Sequence, residues 1–561
     1  MRICLLLFFL LIVLLSGCAG QRPPEGGPVD STPPEIISVY PAPQTIRFDD
    51  NRVIFEFSEY VDRRSVEEAI FISPSIEQKE FEWSGTEVTL HFLEELKKNT
   101  TYVITVGTDV RDVRAGNRMA KSYSLSFSTG ERIDRGTITG KVYDENSDKS
   151  GVMIFSYRLN SINPDTLNPA KTKPDYLTQT GKDGEFRLTN LASGTYRIFA
   201  MRDEYRNLLY DPETDAVGTA DDILLTDTDT IKQGIQLILA KEDTTAPRIT
   251  SVQTLDNRHV TIVFSEPIDT ATVSPASILI TDTLRQQLLA VYDVYPSNVQ
   301  GTSFTVMTDK QQKDSLYLVV VREGVKDKSG FSISPLANSK LFTGSSTNDT
   351  LPPSLYFSSV QDTAAKIFPD DSILIMFSDA ISFVNDDSAV ALLKLKDSSL
   401  VPYYYSWYNS STMVIAPAVP LQSEEKYALI LRWNYFPDKL GNKRKDSIST
   451  FVITVDDPEN YGSIQGNVAG VGEKRVVIQA HNVTDNKQAP KKVNATREGQ
   501  FFLSRLPEGR YVLKVFEDVN NNFTHDAGKP FPFRRAERFS FYPDTIRVRP
   551  RWPIDGVMVK F

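Results

Sequence analysis

The sequence has almost no cysteine. Its 561 residues include only Cys4 and Cys18, both close to the start. A chain with no later cysteine forms no disulfide, so its domains must hold together by core burial alone, as domains of about 100 residues can. Histidine is scarce as well, with four residues far apart, and no Cys/His spacing resembles a zinc site.

Positive charge is in the minority, since the net charge is −10 at pH 7. An acidic surface repels phosphate backbones, so we expect no nucleic-acid partner. Catalytic fingerprints are absent too: there is no nucleophile elbow, P-loop, zinc-protease motif or dinucleotide-binding motif. We therefore predict no catalytic residue and no cofactor, and an enzyme with a cryptic site on a sandwich scaffold is the least favoured alternative.

Long hydrophobic runs are also lacking. The run from Ile3 to Leu15 is shorter than the ~20 residues that a transmembrane helix needs. Its charged start at Arg2, short apolar centre and small final residues are typical of a secretory signal. An ordinary signal peptide with a chance cysteine is the alternative to the more specific interpretation that follows.

The ending Leu15-Ser16-Gly17-Cys18 resembles a bacterial lipobox. The resemblance implies a lipoprotein signal peptide over 1–17 and acylation of Cys18 with fatty acids such as palmitate, which makes a lipid bilayer the first partner. Ala19 follows, where an aspartate would favour inner-membrane retention in well-studied lipoproteins, so we expect the outer membrane. The Pro- and Gly-rich stretch 18–32 is predicted to be a flexible tether.

Three later segments share one pattern, in which a proline-rich opening leads to an alternating strand and later to an aspartate followed by a glycine turn. The openings are Thr32-Pro33-Pro34, Thr245-Ala246-Pro247 and Leu351-Pro352-Pro353; the strands end in Phe57-Ser58-Glu59, Phe264-Ser265-Glu266 and Phe377-Ser378-Asp379; the turns are Asp112 to Gly116, Asp327 to Gly330 and Asp438 to Gly441. This pattern resembles bacterial Ig-like domains of surface and surface-layer proteins. The third copy departs from it at Asp379 and Ser382.

Two other segments share glycine-punctuated strands, which begin Gly136-Thr-Ile-Thr-Gly140 and Gly462-Ser-Ile-Gln-Gly466. They resemble carboxypeptidase regulatory-like (prealbumin-type) domains, and we expect the glycines to make tight turns. The fold class predicted from both repeats is all-β, with tandem β-sandwich modules after the signal peptide. We name them module 1 (33–130, Ig-like), module 2 (131–242, prealbumin-like), module 3 (243–346, Ig-like), module 4 (347–457, Ig-like) and module 5 (458–561, prealbumin-like).

One loop carries side-chain oxygens at the spacing of half a calcium-binding loop. They belong to Asp518, Asn520, Asn522 and Asp526. The loop lacks the glycine and the final glutamate of the full pattern. A structural calcium ion is one prediction for it, and turn capping by Asx side chains is the other.

An aromatic strand supplies a second candidate site. Tyr403, Tyr405 and Trp407 share one face of a predicted strand and would form a flat platform for a sugar or peptide. The alternative is that this face packs into the sandwich core. Two carboxylate pairs, Glu59 with Asp62 and Glu266 with Asp269, are interpreted as turn capping rather than catalysis, because the same arrangement occurs twice.

Together these features predict a membrane-anchored envelope lipoprotein that binds or scaffolds without catalysis, in the manner of an adhesin. Its partner would be a glycan or an envelope protein. Recurrent Asp-Ser/Thr tripeptides such as Asp282-Thr283-Leu284 resemble the O-glycosylation sequon of Bacteroides-like bacteria, with turn chemistry as the alternative. A periplasm-facing accessory subunit of an outer-membrane or secretion complex is the second function considered.

Overall fold

The computed structural model describes residues 30–560, apart from 77, 145–148, 361–364, 384–385, 387, 446 and 486. Cys18 and the apolar segment before it therefore lie outside the described residues. The described chain is nearly all β, with 47% strand and 4% helix, which confirms the predicted fold class. Its contacts divide it into two compact units, one with residues up to Glu242 and Asp526–Glu537, the other with Asp243–His525 and the residues from Arg538 onward. None of its described helices has the length and apolarity to cross a bilayer.

Module 1 is a sandwich of two antiparallel sheets in the first unit. Alternating residues of its strands, such as Phe55 and Phe57, enter one hydrophobic core. The sheet orders are β1-β2-β5-β4 and β3-β6-β7, with β1 (Ile36–Tyr40), β2 (Arg52–Phe57), α1 (Arg63–Ala69), β3 (Ile70–Ser73), β4 (Lys79–Ser84), β5 (Glu87–Phe92), β6 (Thr101–Val106) and β7 (Tyr123–Ser128). The short helix begins at Asp62, whose carboxylate accepts hydrogen bonds from the backbone of Arg64 and Ser65, so this carboxylate caps a turn as expected.

Module 2 has one three-stranded and one larger sheet, ordered β11-β8-β15 and β10-β9-β12-β13-β16, with β14 beside β12. Its strands are β8 (Gly136–Tyr143), β9 (Met153–Arg158), β10 (Tyr176–Gln179), β11 (Glu185–Leu191), β12 (Gly194–Arg202), β13 (Ala216–Thr219), β14 (Ile223–Leu225), β15 (Ile231–Ile238) and β16 (Ala240–Lys241). The first and last strands of the smaller sheet, β8 and β15, pair in parallel. The outer face of the larger sheet carries a second core that includes Phe155 and Phe199.

Module 3 opens the second unit and has sheets ordered β17-β18-β22-β21 and β20-β19-β23-β24. Its strands are β17 (Ile249–Thr254), β18 (His259–Phe264), β19 (Ile278–Asp282), β20 (Gln287–Leu289), β21 (Val291–Pro296), β22 (Ser303–Thr308), β23 (Leu316–Val321) and β24 (Ser339–Thr343). Asp269 caps the 3₁₀ turn Thr270–Thr272 through the backbone N–H of Ala271, so it plays the part that Asp62 plays in module 1.

Module 4 is again a two-sheet sandwich, ordered β25-β27-β30-β29 and β26-β32-β31-β28. Its strands are β25 (Leu355–Ser358), β26 (Ala365–Ile367), β27 (Ile373–Phe377), β28 (Val390–Lys394), β29 (Tyr403–Asn409), β30 (Thr412–Pro417), β31 (Lys426–Arg432) and β32 (Ile448–Val455). Its core gathers Phe377, Trp433 and Phe436 around one another.

Module 5 repeats the plan of module 2. Its sheets are ordered β36-β33-β40 and β35-β34-β37-β38, with β39 beside β37, and β33 pairs in parallel with β40. Its strands are β33 (Gly462–Ala469), β34 (Val476–Asn482), β35 (Lys491–Asn494), β36 (Gln500–Leu506), β37 (Gly509–Glu517), β38 (Phe539–Phe541), β39 (Ile546–Val548) and β40 (Pro553–Lys560).

Two of the repeated glycines do not lie in turns, and for them the expectation of tight turns is wrong. Gly140 and Gly466 stand in the middle of β8 and β33. A Cβ at Gly140 would collide with the carbonyl oxygen of Ile235, and one at Gly466 with that of Val557. Both collisions come from the parallel last strand, so these glycines permit close approach of two backbones.

A buried tyrosine ties down one loop in each module. In the Ig-like modules the hydroxyls of Tyr102, Tyr317 and Tyr427 accept a hydrogen bond from the backbone N–H five residues earlier, at 2.8–2.9 Å. In modules 2 and 5 the hydroxyls of Tyr196 and Tyr511 donate to the carbonyl four residues earlier. These contacts are the counterpart of the tyrosine corner of Ig sandwiches.

Candidate functional site

In the predicted calcium loop, side-chain oxygens accept hydrogen bonds from the loop's own backbone, and one aspartate also pairs with an arginine. Asp518 is 2% exposed, and its Oδ1 accepts from the N–H of Asn522 at 2.9 Å. Its Oδ2 accepts from the N–H of Phe523 and lies 3.1 Å from Nε of Arg475. Asn520 and Asn522 accept from backbone N–H groups two residues later, as in Asx turns, while Asp526 falls in the other unit. These are the contacts of the turn-capping interpretation, and calcium here stays a prediction.

The aromatic strand β29 lies at the edge of its sheet. Tyr403, Tyr405 and Trp407 are half-buried and pack against the core of module 4, so the core-packing alternative describes these three side chains. The other face of the strand carries Tyr404 and Tyr408, each 71% exposed. An aromatic platform on this strand would therefore consist of these two rings.

An acidic cluster lies at the start of module 3. Asp243 precedes the opening Thr245-Ala246-Pro247, Glu266 follows β18, and Asp327 lies in the loop after β23. One carboxylate oxygen of each lies within 4.8 Å of those of the other two. Burial and the charges of the two aspartates raise the pKa of Glu266. We refer to Asp243, Glu266 and Asp327 as the module 3 triad.

Modules 1 and 4 have carboxylates at the equivalent positions: Asp30, Glu59 and Asp112 in module 1, and Asp349, Asp379 and Asp438 in module 4. In both modules an asparagine beside the glycine turn completes the hydrogen bonds of the last aspartate. Although burial opposes it, hydrogen bonds from the N–H groups of residues 115–117 and from the Asn117 side chain lower the pKa of Asp112. Both oxygens of Asp438 likewise accept, from the N–H groups of Leu440 and Asn442 and from the Asn442 side-chain amide.

A buried histidine accompanies the carboxylates of module 4. His259 Nδ1 lies 2.8 Å from Oδ2 of Asp256 and 3.9 Å from Oδ2 of Asp349. Burial alone would lower the pKa of His259, but the hydrogen bond and charge of Asp256, with the charges of Asp349 and Asp379, raise it overall. When it is protonated, the imidazole supplies a positive charge to this cluster, and the raised pKa widens the pH range over which it does so.

A groove of about 610 Å³ lies on module 5 between β33, β35 and β36. Amide side chains and one ring line it, among them Gln465, Asn467, Asn494 and Gln500, together with Phe502, which is 55% exposed. Amide groups offer both donors and acceptors, and an exposed ring offers an apolar face. This combination suits a neutral polar ligand with apolar patches, such as a sugar.

Sequence reasoning missed the module 3 triad because its members lie far apart in the chain. The sequence alone suggests a pair of Glu266 with Asp269, but Asp269 caps a turn in the structure. The available signal was the aspartate two residues before each proline-rich opening, at Asp30, Asp243 and Asp349. The groove of module 5 corresponds to no sequence motif, because its amide side chains lie on three different strands.

Comparison with solved structures gives low similarity over long stretches. The N-terminal part of the bacterial S-layer protein SbsC is 15% identical, with 38% of this chain and 45% of that one covered and a TM-score of 0.17. Domains 1–6 of the surface layer protein SbsC are 12% identical, with 88% and 66% covered and a TM-score of 0.14. The major pilin subunit of Bacillus cereus is 9% identical, with 76% and 98% covered and a TM-score of 0.13.

The chain thus spans 45% of the first of these structures and 66% of the second. No curated protein matches it. Residues 30–129 and 243–343 match a protein family described as bacterial Ig-like domain. These ranges overlap modules 1 and 3, so each of these two modules matches the bacterial Ig-like domain family.

Proposed function

We propose that this protein is a lipid-anchored envelope protein that works without catalysis, as a binding or scaffolding protein of the adhesion type. The observation that carries the proposal is that strands of sandwich modules follow one another from Ile36 to Lys560, two of the modules matching the bacterial Ig-like domain family. Such modules present loops and sheet edges on rigid cores, which suits contact with a partner.

Anchoring would begin at Cys18. A single acyl chain gives marginal membrane binding, so the several chains implied by the lipobox would be needed for stable attachment. The tether 18–32 would give the modules reach from the outer membrane. A Cys18→Ala variant should lose palmitate labelling and move from the membrane to the soluble fraction; unchanged labelling would remove the anchor from the proposal.

The exposed surfaces favour a glycan as ligand. The groove of module 5 combines amide side chains with the ring of Phe502, and β29 of module 4 adds the exposed rings of Tyr404 and Tyr408. A glycan array probed with the wild type should give hits that Phe502→Ala or Tyr404→Ala weakens. Tyr205→Ala, at a ring that is 65% exposed outside both surfaces, serves as control. An array without hits would favour a protein partner.

The second candidate is a periplasm-facing accessory subunit of an outer-membrane or secretion complex. It uses the same anchor and modules but faces the other side of the membrane. Protease treatment of intact cells distinguishes the two, because a surface protein is cut and a periplasmic one is spared. Cells with a permeabilised outer membrane supply the positive control for cleavage.

A further inference from the structure

We propose that the module 3 triad, Asp243, Glu266 and Asp327, binds a calcium ion that fastens the segment entering module 3 onto the sandwich. The ion would be coordinated by one carboxylate from the entering segment, one from the end of β18 and one from the loop after β23. Nothing in the proposed adhesion function requires this site.

The strongest evidence is a buried oxygen of Asp327 that has no hydrogen-bond donor. The residue is 3% exposed, and its Oδ1 accepts from the N–H of Phe331 at 2.8 Å. Its Oδ2 is buried and, within the described part of the chain, accepts from no group. A buried carboxylate oxygen without a partner is costly, and two further carboxylates nearby increase the cost by repulsion. A bound cation removes both penalties.

The sister modules show how the same position is satisfied without an ion. The asparagine that follows the glycine turn in module 4, Asn442, donates its side-chain amide to Oδ2 of Asp438 at 2.9 Å. Module 3 has Phe331 at this position, which has no side-chain donor. The replacement leaves one oxygen of Asp327 bare in this repeat. In module 4 the negative charge of Asp349 also faces His259, whose Nδ1 lies 3.9 Å from its Oδ2.

The donor set selects a hard cation. All three side chains are carboxylates, and neither histidine nor cysteine belongs to the cluster, which disfavours zinc and copper. Calcium accepts irregular sets of six to eight oxygens and tolerates backbone carbonyls and water as the remaining ligands, whereas magnesium demands a near-octahedral arrangement. Carboxylates from three separate chain segments therefore suit calcium better.

The test is calorimetric titration of the full-length protein with CaCl₂ after treatment with EDTA. The wild type should bind with a Kd of about 10⁻⁴ to 10⁻³ M, the range of extracellular calcium modules, and its melting temperature should rise with CaCl₂. Asp327→Asn and Glu266→Gln should each weaken this binding at least tenfold. Asp327→Asn keeps the acceptor for the Phe331 N–H and removes one charge, so in EDTA it should melt at or above the wild-type temperature.

Two control variants locate the ion. Glu59→Gln changes the equivalent glutamate of module 1 and should leave binding unchanged. The double variant Asn520→Ala and Asn522→Ala removes two side-chain oxygens of the loop in module 5 that the sequence predicts as calcium ligands, and it should leave binding by the module 3 triad unchanged. No heat of binding up to 10 mM CaCl₂, equal binding by the wild type and Asp327→Asn, or a loss confined to the double variant would each overturn the proposal. A melting temperature of Asp327→Asn in EDTA well below that of the wild type would do so too.

Discussion

The buried tyrosine whose hydroxyl is hydrogen-bonded to a loop in each Ig-like module allows a test of how much this contact stabilises the module. Tyr317 is 2% exposed, its ring stacks on Phe342 with centroids 5.4 Å apart, and its hydroxyl accepts from the N–H of Gln312 at 2.8 Å. Tyr317→Phe removes the hydroxyl and keeps the ring. A single hydrogen bond contributes about 0.5–1.5 kcal/mol, and Gln312 is exposed enough for water to replace part of it. We therefore expect the free energy of unfolding of module 3 to fall by about 1 kcal/mol.

The assay is differential scanning calorimetry of the full-length protein. For a module of about 100 residues a loss of 1 kcal/mol lowers the melting temperature by roughly 4–8 °C, in one transition. Tyr317→Ala should cost about 3–5 kcal/mol because it also leaves a cavity. Tyr404→Phe is the matched control, since that side chain is 71% exposed and no change is expected. A Tyr317→Phe transition identical to that of the wild type would refute the assigned role of the hydroxyl.

Three further predictions concern buried charge and backbone approach. Because the folded-state pKa of His259 is raised, its stabilising charge is fully present below about pH 6.5 and is lost as the pH rises through the raised value, so melting temperatures above pH 6.5 should fall more in the wild type than in His259→Gln. Arg197→Met should destabilise the first unit by about 2 kcal/mol in urea unfolding, because it breaks a bidentate pair between the buried guanidinium and the partly exposed carboxylate of Asp222. Gly466→Ala should cost about 1–3 kcal/mol through collision with the last strand, whereas Gly324→Ala, which meets open space, should not.

Each of these has an outcome that contradicts it. A wild-type pH profile parallel to that of His259→Gln would mean that folding does not raise the pKa of the imidazole. The pair of Arg535 with Asp221 is exposed on both sides, so Arg535→Ala should change little. Equal losses for Arg197→Met and Arg535→Ala would show that the pair of Arg197 with Asp222 does not stabilise the first unit. Equal melting temperatures for the two glycine variants would show that the strands separate easily.

The fold could be predicted from local sequence patterns, because apolar residues at every second position show which face of a strand is buried. The strands ending at Phe57, Phe264 and Phe377 occupy the same place in modules 1, 3 and 4. The role of Gly140 and Gly466 was not predictable in this way, because the atom that excludes a side chain belongs to a strand about 90 residues later. A single sequence does not distinguish a glycine in a turn from a glycine that lies against the backbone of a neighbouring strand.

The candidate sites also differ in whether they depend on local sequence or on distant segments that the fold brings together. Alternation in β29 separated two aromatic faces correctly, but the sequence could not say which face the core would cover, since both are rich in tyrosine. The module 3 triad depends on three segments brought together only by the sandwich. The sequence does show that Phe331 stands where modules 1 and 4 have an asparagine. Only the structure shows that this replacement leaves Oδ2 of Asp327 without a hydrogen-bond donor among the described residues.

The parallel pairing of β8 with β15 has a mechanical consequence. The chain enters module 2 at one end of this pair and leaves at the opposite end, and the pairing runs from Thr137 with Ile231 to Tyr143 with Ile238. A pull on the two termini would therefore slide the strands along each other and strain all their hydrogen bonds together, instead of peeling them one by one. Module 5 has the same geometry in β33 and β40, so both modules are built to resist force directed along the chain.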